Sequence, residues 1–86
     1  MPDICTFLGI FIALRWADHN PPHIHVRYSG YKFTITIKDR IVKGSAPSKV
    51  IAKVNEWMDL HVEELYEMWE KSQKGEKLGR IKPLRR

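Results

Sequence analysis

His23-Ile24-His25-Val26-Arg27-Tyr28-Ser29-Gly30-Tyr31-Lys32-Phe33-Thr34-Ile35-Thr36-Ile37 reads as two β-strands joined by a tight turn. In the second strand Tyr31, Phe33, Ile35 and Ile37 alternate with Lys32, Thr34, Thr36 and Lys38. Successive side chains of a strand point to opposite faces, so this period-2 pattern predicts one buried face and one wet face. Ile24, Val26 and Tyr28 give the first strand its β character, and Ser29-Gly30 supplies the turn. The two together predict a hairpin.

Working outward, Ile4 to Phe7 reads as a short strand, Leu8-Gly9 as a turn, and Ile10 to Leu14 as a second strand. The near-continuous apolarity of Ile10 to Leu14 predicts burial on both of its faces. Trp16 to Pro22 is a connection, and Asn20-Pro21-Pro22 blocks helix and sets an extended corner. Beyond the hairpin, Asp39 to Lys43 predicts a last short strand, and Lys43 to Ala46 turns the chain.

Helical periodicity then takes over. Pro47 suits a position at or just before a helix start, and Ser48 is the expected N-cap. Val50, Ile51, Val54, Trp57, Met58, His61, Val62, Leu65, Met68 and Trp69 form an apolar stripe of about six turns. The stripe fits one long helix, or two with a break near Asp59 to His61. Two are favoured, because an unbroken rod is hard to bury against short strands. Gly75 closes the stretch as a C′ residue. The predicted fold class is α+β, an N-terminal antiparallel β-meander of four or five short strands followed by one long or two consecutive C-terminal helices packed on one face. Residues 1–86 form a single domain, with a sheet part (1–46), a helical part (47–74) and a basic irregular tail (75–86).

Composition narrows the function classes. The chain has 86 residues, 43% hydrophobic and 29% charged. Its single cysteine, Cys5, excludes an intramolecular disulfide and favours a reducing compartment. The longest apolar run, Phe7 to Leu14, is too short to span a bilayer. An acid at the start, Asp3, is unlike a signal peptide, so a cytoplasmic location is expected, with no membrane partner. The net charge of +5 is uneven. Residues 1–47 carry six Lys/Arg against three Asp/Glu, residues 48–70 two against six, and residues 71–86 seven against one. A basic tail of this kind suits contact with RNA or another nucleic acid, or a solvated terminus. A homodimer is compatible with so small a core.

Asp18-His19-Asn20-Pro21-Pro22-His23-Ile24-His25-Val26 holds three of the four histidines. On a strand, His23 and His25 project from the same face. Three readings are open. As a metal site, His23 and His25 would ligate zinc or another divalent transition metal, with His19 or Asp18 third and His61 from the helical half a possible fourth. As a metal-free ribonuclease-like site, His23 and His25 would serve as acid and base, with His19 oriented by Asp18 and with Arg15 or Arg27 on phosphate. As a structural feature, the histidines and Asp18 would satisfy the backbone around the Pro-Pro corner. Trp57, Tyr66 and Trp69 read as core or interface, and Glu63, Glu64, Glu67 and Glu70 as a solvated face. There is no phosphate-binding glycine loop, no Ser-His-Asp order and no zinc-ribbon spacing.

Read with its flanks, the chain resembles a family of small bacterial proteins, domain-of-unknown-function family 4160. The resemblance rests on Phe7-Leu8-Gly9-Ile10, the string from Asp18 to Val26, the helical Trp57, His61, Glu64-Leu65 and Trp69, and the ending Ile81 to Leu84. Asp18, His19, Pro21, Pro22, His23, His25 and Val26 carry the motif. The family has no settled activity. The resemblance implies a small protein partner of domain-of-unknown-function family 2442, and a toxin-like role in a two-gene toxin–antitoxin module acting on RNA or translation.

Overall fold

The central hairpin is present in the register that its sequence predicts. β3 (His23–Tyr28) and β4 (Tyr31–Thr36) pair antiparallel, with Tyr28 opposite Tyr31 and His25 opposite Thr34. Ser29 and Gly30 both have positive φ, 44° and 86°, which is what a two-residue turn matched to strand twist requires. The same device joins β1 (Asp3–Phe7) to β2 (Ile10–Ala13) through Leu8 and Gly9, at φ 51° and 75°. The structure, a computed structural model, describes residues 2–84; Arg85 and Arg86, the last charges of the tail, lie outside the described residues.

β5 (Val42–Gly44) completes a five-stranded antiparallel meander in the order β1-β2-β3-β4-β5. It starts three residues later than the expected Asp39, because Arg40 turns there with φ 59°. The Arg40 side chain holds this turn against the first helix, reaching the Asn55 side chain at 3.0 Å and Asp59 at 2.8 Å.

Helices α1 (Ser48–Leu60) and α2 (Val62–Gln73) follow, broken at His61. The two-helix alternative therefore holds. Ser48 lies inside the first turn rather than capping it; Pro47 is the cap residue, with no side-chain cap bond. Ile10, Ile12, Ile24, Val26, Phe33 and Ile35 share one sheet face and pack with Val54, Trp57, Met58, Leu65 and Trp69 in one core. No helix among the described residues is long and apolar enough to cross a membrane.

Two expectations need correction. β2 is not buried on both faces: Ala13 is, but Phe11 is 39% exposed on the outer face, which carries the polar residues of β3 and β4. Among the described residues the tail has no helix or strand, yet it is not a free arm. Leu78, Ile81 and Leu84 are buried in the core. The Ile81 N–H donates to the Ile4 carbonyl at 2.8 Å, and the Trp57 indole donates to the Lys82 carbonyl at the same distance. The Ile4 bond partly covers the β1 edge that would otherwise be open to another chain.

Candidate metal centre

Strand alternation puts His23 and His25 on the outer face of β3, away from Ile24 and Val26. Asp18 reaches them from the β2–β3 connection, which runs from residue 14 to 22 and includes a cis Asn20–Pro21 peptide. This connection is docked on the end of α2. The Ala17 N–H donates to the Ser72 carbonyl at 3.1 Å, the Gln73 amide donates to the Asp18 carbonyl at 2.9 Å, and the Trp16 indole donates to the Glu76 carbonyl at 3.2 Å. Ser72 is fully buried and donates to the Trp69 carbonyl at 2.6 Å, while the Trp69 ring packs 5.5 Å from that of His23. The helical half thus positions a site whose chemistry lies in the sheet half.

The carboxylate of Asp18 is 3% exposed. Its Oδ2 lies 2.9 Å from Nε2 of both His23 and His25, and its Oδ1 accepts the His19 backbone N–H at 2.9 Å. Burial alone would raise the Asp18 carboxyl. The hydrogen bond from His25, the His19 N–H and the positive charge of His23 and His25 when protonated outweigh it, and hold the group below the usual carboxylate range. One ligand atom each from Asp18, His23 and His25 falls within 4.8 Å of the others. Zinc bound to nitrogen and oxygen at about 2.0–2.2 Å sets neighbouring tetrahedral ligands roughly 3.3 Å apart. Small side-chain shifts would bring this set to that spacing.

His23 has a telling hydrogen-bond pattern. Its Nδ1 is 2.8 Å from the Pro21 carbonyl oxygen, which can only accept, so Nδ1 carries a proton. In the neutral ring Nε2 is then a bare lone pair, facing an ionised oxygen that is also an acceptor. Either a second proton or a cation must stand between them. A metal-ligating histidine typically has its other nitrogen bound to a carbonyl or carboxylate in this way.

A cavity of about 340 Å³ opens over the cluster, lined also by Arg15, Thr34, Thr36 and Lys43. Thr34, Thr36 and Lys43 went unnoticed in the sequence reading. Counting back from the two-residue turn would have found the threonines, since it sets His25 against Thr34 and His23 against Thr36. His19 stands at the rim, its side chain 89% exposed and its Nδ1 3.3 Å from Asp18 Oδ1, so Asp18 and not His19 is the third member of the converging set. Arg15 lines the cavity, whereas Arg27 does not. Arg27 pairs with Asp3 at 3.0 Å and lies over the Phe11 ring at 5.1 Å. His61 is not part of the cluster; it packs on Trp57 and meets Glu64 at 2.6 Å.

The profile of a domain-of-unknown-function family, DUF4160, matches residues 9–70. The chain belongs to that family. The matched span contains Asp18, His23, His25 and every other residue lining the cavity, but stops short of the Ser72–Gln73 contacts that hold the connection. No curated protein and no solved structure is significantly similar to the chain.

Proposed function

We propose that Asp18, His23 and His25 hold one divalent transition metal, zinc by the character of the donor set, and that the centre hydrolyses a phosphoester. The observation that carries this reading is the converging triad, with His23 Nδ1 engaged by the Pro21 carbonyl and Nε2 turned to Asp18. Two imidazoles and a carboxylate would hold the ion with three protein ligands, the number typical of a catalytic rather than a structural zinc, beside the cavity. A bound ion supplies Lewis acidity and activates water at neutral pH. Arg15 and Lys43, which both line the cavity, would balance the charge of a phosphate. Overall, water adds across one P–O ester bond, leaving a phosphate with one ester fewer and an alcohol. Metal-free acid–base catalysis by His23 and His25 is less well served, because both His23 nitrogens already face protein acceptors.

Calorimetric titration of zinc into tag-free, chelator-stripped protein tests the reading. One ion per chain is expected, with binding lost in folded His25→Ala and Asp18→Asn proteins. Absence of stoichiometric binding tighter than about 10 μM would overturn it. We extend the proposal to a toxin-like role on RNA in the cytoplasm, opposed by a small partner of family 2442 type. Induced wild-type protein should then arrest growth of a bacterial host, and His25→Ala at equal soluble level should not.

A further inference from the structure

The outer sheet face carries a second pattern beside the cluster. Two more shallow hollows, of about 280 and 290 Å³, continue the cavity along β3 and β4 towards the Ser29–Gly30 turn. The first shares Arg15, His25, Thr34 and Lys43 with the cavity, and the second shares Arg27 and Lys32 with the first. The result is one continuous groove along two six-residue strands, roughly 20 Å long at a rise of about 3.3 Å per residue. Arg15, Lys32 and Lys43 are exposed and have no acidic partner within 4.0 Å among the described residues. Phe11, 39% exposed on this face, lines the far end with Arg27 over one face of its ring, whereas Tyr31 alternates to the core face with Phe33. A half-exposed aromatic ring beside unpaired cations on an uncovered sheet supplies the parts of a stacking site for an unpaired base.

We infer that this face binds single-stranded RNA, laid along β3 and β4 from the hairpin turn to the Asp18–His23–His25 cluster. Arg15, Lys32 and Lys43 neutralise successive phosphates, and Phe11 stacks a base on the ring face that Arg27 leaves open. A duplex keeps its base faces stacked on one another and offers none to Phe11. Thr34 and Thr36, both half-buried, line the floor; the Thr36 hydroxyl accepts the Ile41 N–H at 2.8 Å, and the Thr34 hydroxyl is the group offered to a 2′-hydroxyl. The binding surface stands on these observations alone; its role as a substrate track rests on the proposed hydrolytic centre.

The test is fluorescence anisotropy of a labelled uridine-rich RNA of about twelve nucleotides, with tag-free full-length protein in excess chelator. The chelator separates the two ideas, since failure of the metal centre leaves this binding intact and failure of RNA binding leaves the zinc titration intact. Phe11→Ala should weaken binding about tenfold, within the range for losing one base–aromatic stack. Phe11→Tyr should restore it and Phe11→Leu should not, which keeps the stacking claim testable if the alanine variant folds poorly. Lys32→Gln with Lys43→Gln should lower the slope of log affinity against log salt by about 1.4, two phosphate contacts on a single strand. Lys74→Gln with Lys77→Gln, in the tail, should leave affinity within about twofold. The inference is overturned by no binding at about 100 μM protein in low salt. It is equally overturned by binding that follows the tail pair instead of the face, or by equal affinity for duplex RNA or for DNA of the same sequence.

Discussion

Asp18 is the residue on which the site depends. One oxygen meets two imidazoles, and the other meets the His19 N–H. Asp18→Asn keeps the shape but removes the charge that both rings face. In chelator at neutral pH this change should cost about 1.5–3 kcal/mol, the range for hydrogen bonds to a charged group, read as a lower urea midpoint at unchanged slope. Cys5 gives an independent test of burial. Desolvation outweighs the nearby Arg80 charge and the hydrogen bonds from Thr6 and Trp57, and holds the thiol above its usual value. A group raised in the folded state contributes stability that is whole below its unfolded value, near 8.5, and is lost as pH rises past it. Folding should therefore weaken on the alkaline side, and Cys5 at pH 8 should react with a thiol reagent only as fast as the chain opens. The sequence exposed the histidines and Asp18 because composition and alternation are local. It left the third converging group open between His19 and Asp18, because that choice depends on how the connection folds back on Ser72 and Gln73, more than 50 positions away.

At the scale of elements, the two-residue turns fix the register, and through it the site. Leu8 occupies the left-handed region at φ 51° with 52% of its surface exposed. That conformation costs an ordinary residue about 1–2 kcal/mol, and asparagine tolerates it better. Leu8→Asn should therefore stabilise the protein by about 0.5–1 kcal/mol, a rise of several degrees in Tm for a domain of this size. Gly44 predicts the opposite sign. It has φ 109°, and a Cβ there would stand 2.5 Å from the Lys32 carbonyl oxygen and 2.8 Å from the Phe33 Cα. Both obstacles are backbone and cannot rotate away, so Gly44→Ala should cost more than about 2 kcal/mol and disturb the Lys43 wall of the cavity. Strand order, hairpin and helix break were legible because each follows from neighbouring residues. The exposure of Phe11 was not, since an apolar run does not tell which face the helices will cover. The start of β5 was displaced by Arg40, whose anchors Asn55 and Asp59 are on α1.

For the whole molecule, the decisive feature is that the last described residues close the core instead of trailing from it. Charge and Gly/Pro content make residues 75–86 read as a solvated basic tail, but every third residue from Leu78 is apolar: Leu78, Ile81 and Leu84. All three are buried, and the segment bonds to β1 through Ile4 and to α1 through Trp57. Deleting a buried leucine or isoleucine side chain typically costs 2–5 kcal/mol, and a domain of this size has a total stability of only about 5–15 kcal/mol. Loss of all three would also strip cover from Trp57 and uncover the β1 edge. A chain ending after Glu76 keeps both helices and every residue of the Asp18–His23–His25 cluster, yet it should not fold cooperatively. Its circular dichroism melt should lack the sigmoidal transition of the full chain, and its zinc stoichiometry should fall with it. Leu78→Lys alone, at the rim of the core with 9% exposure, should give a folded protein of reduced Tm that keeps its cluster. A truncated chain that melted like the full one would show that the sheet and two helices suffice, and that the tail's burial contributes little.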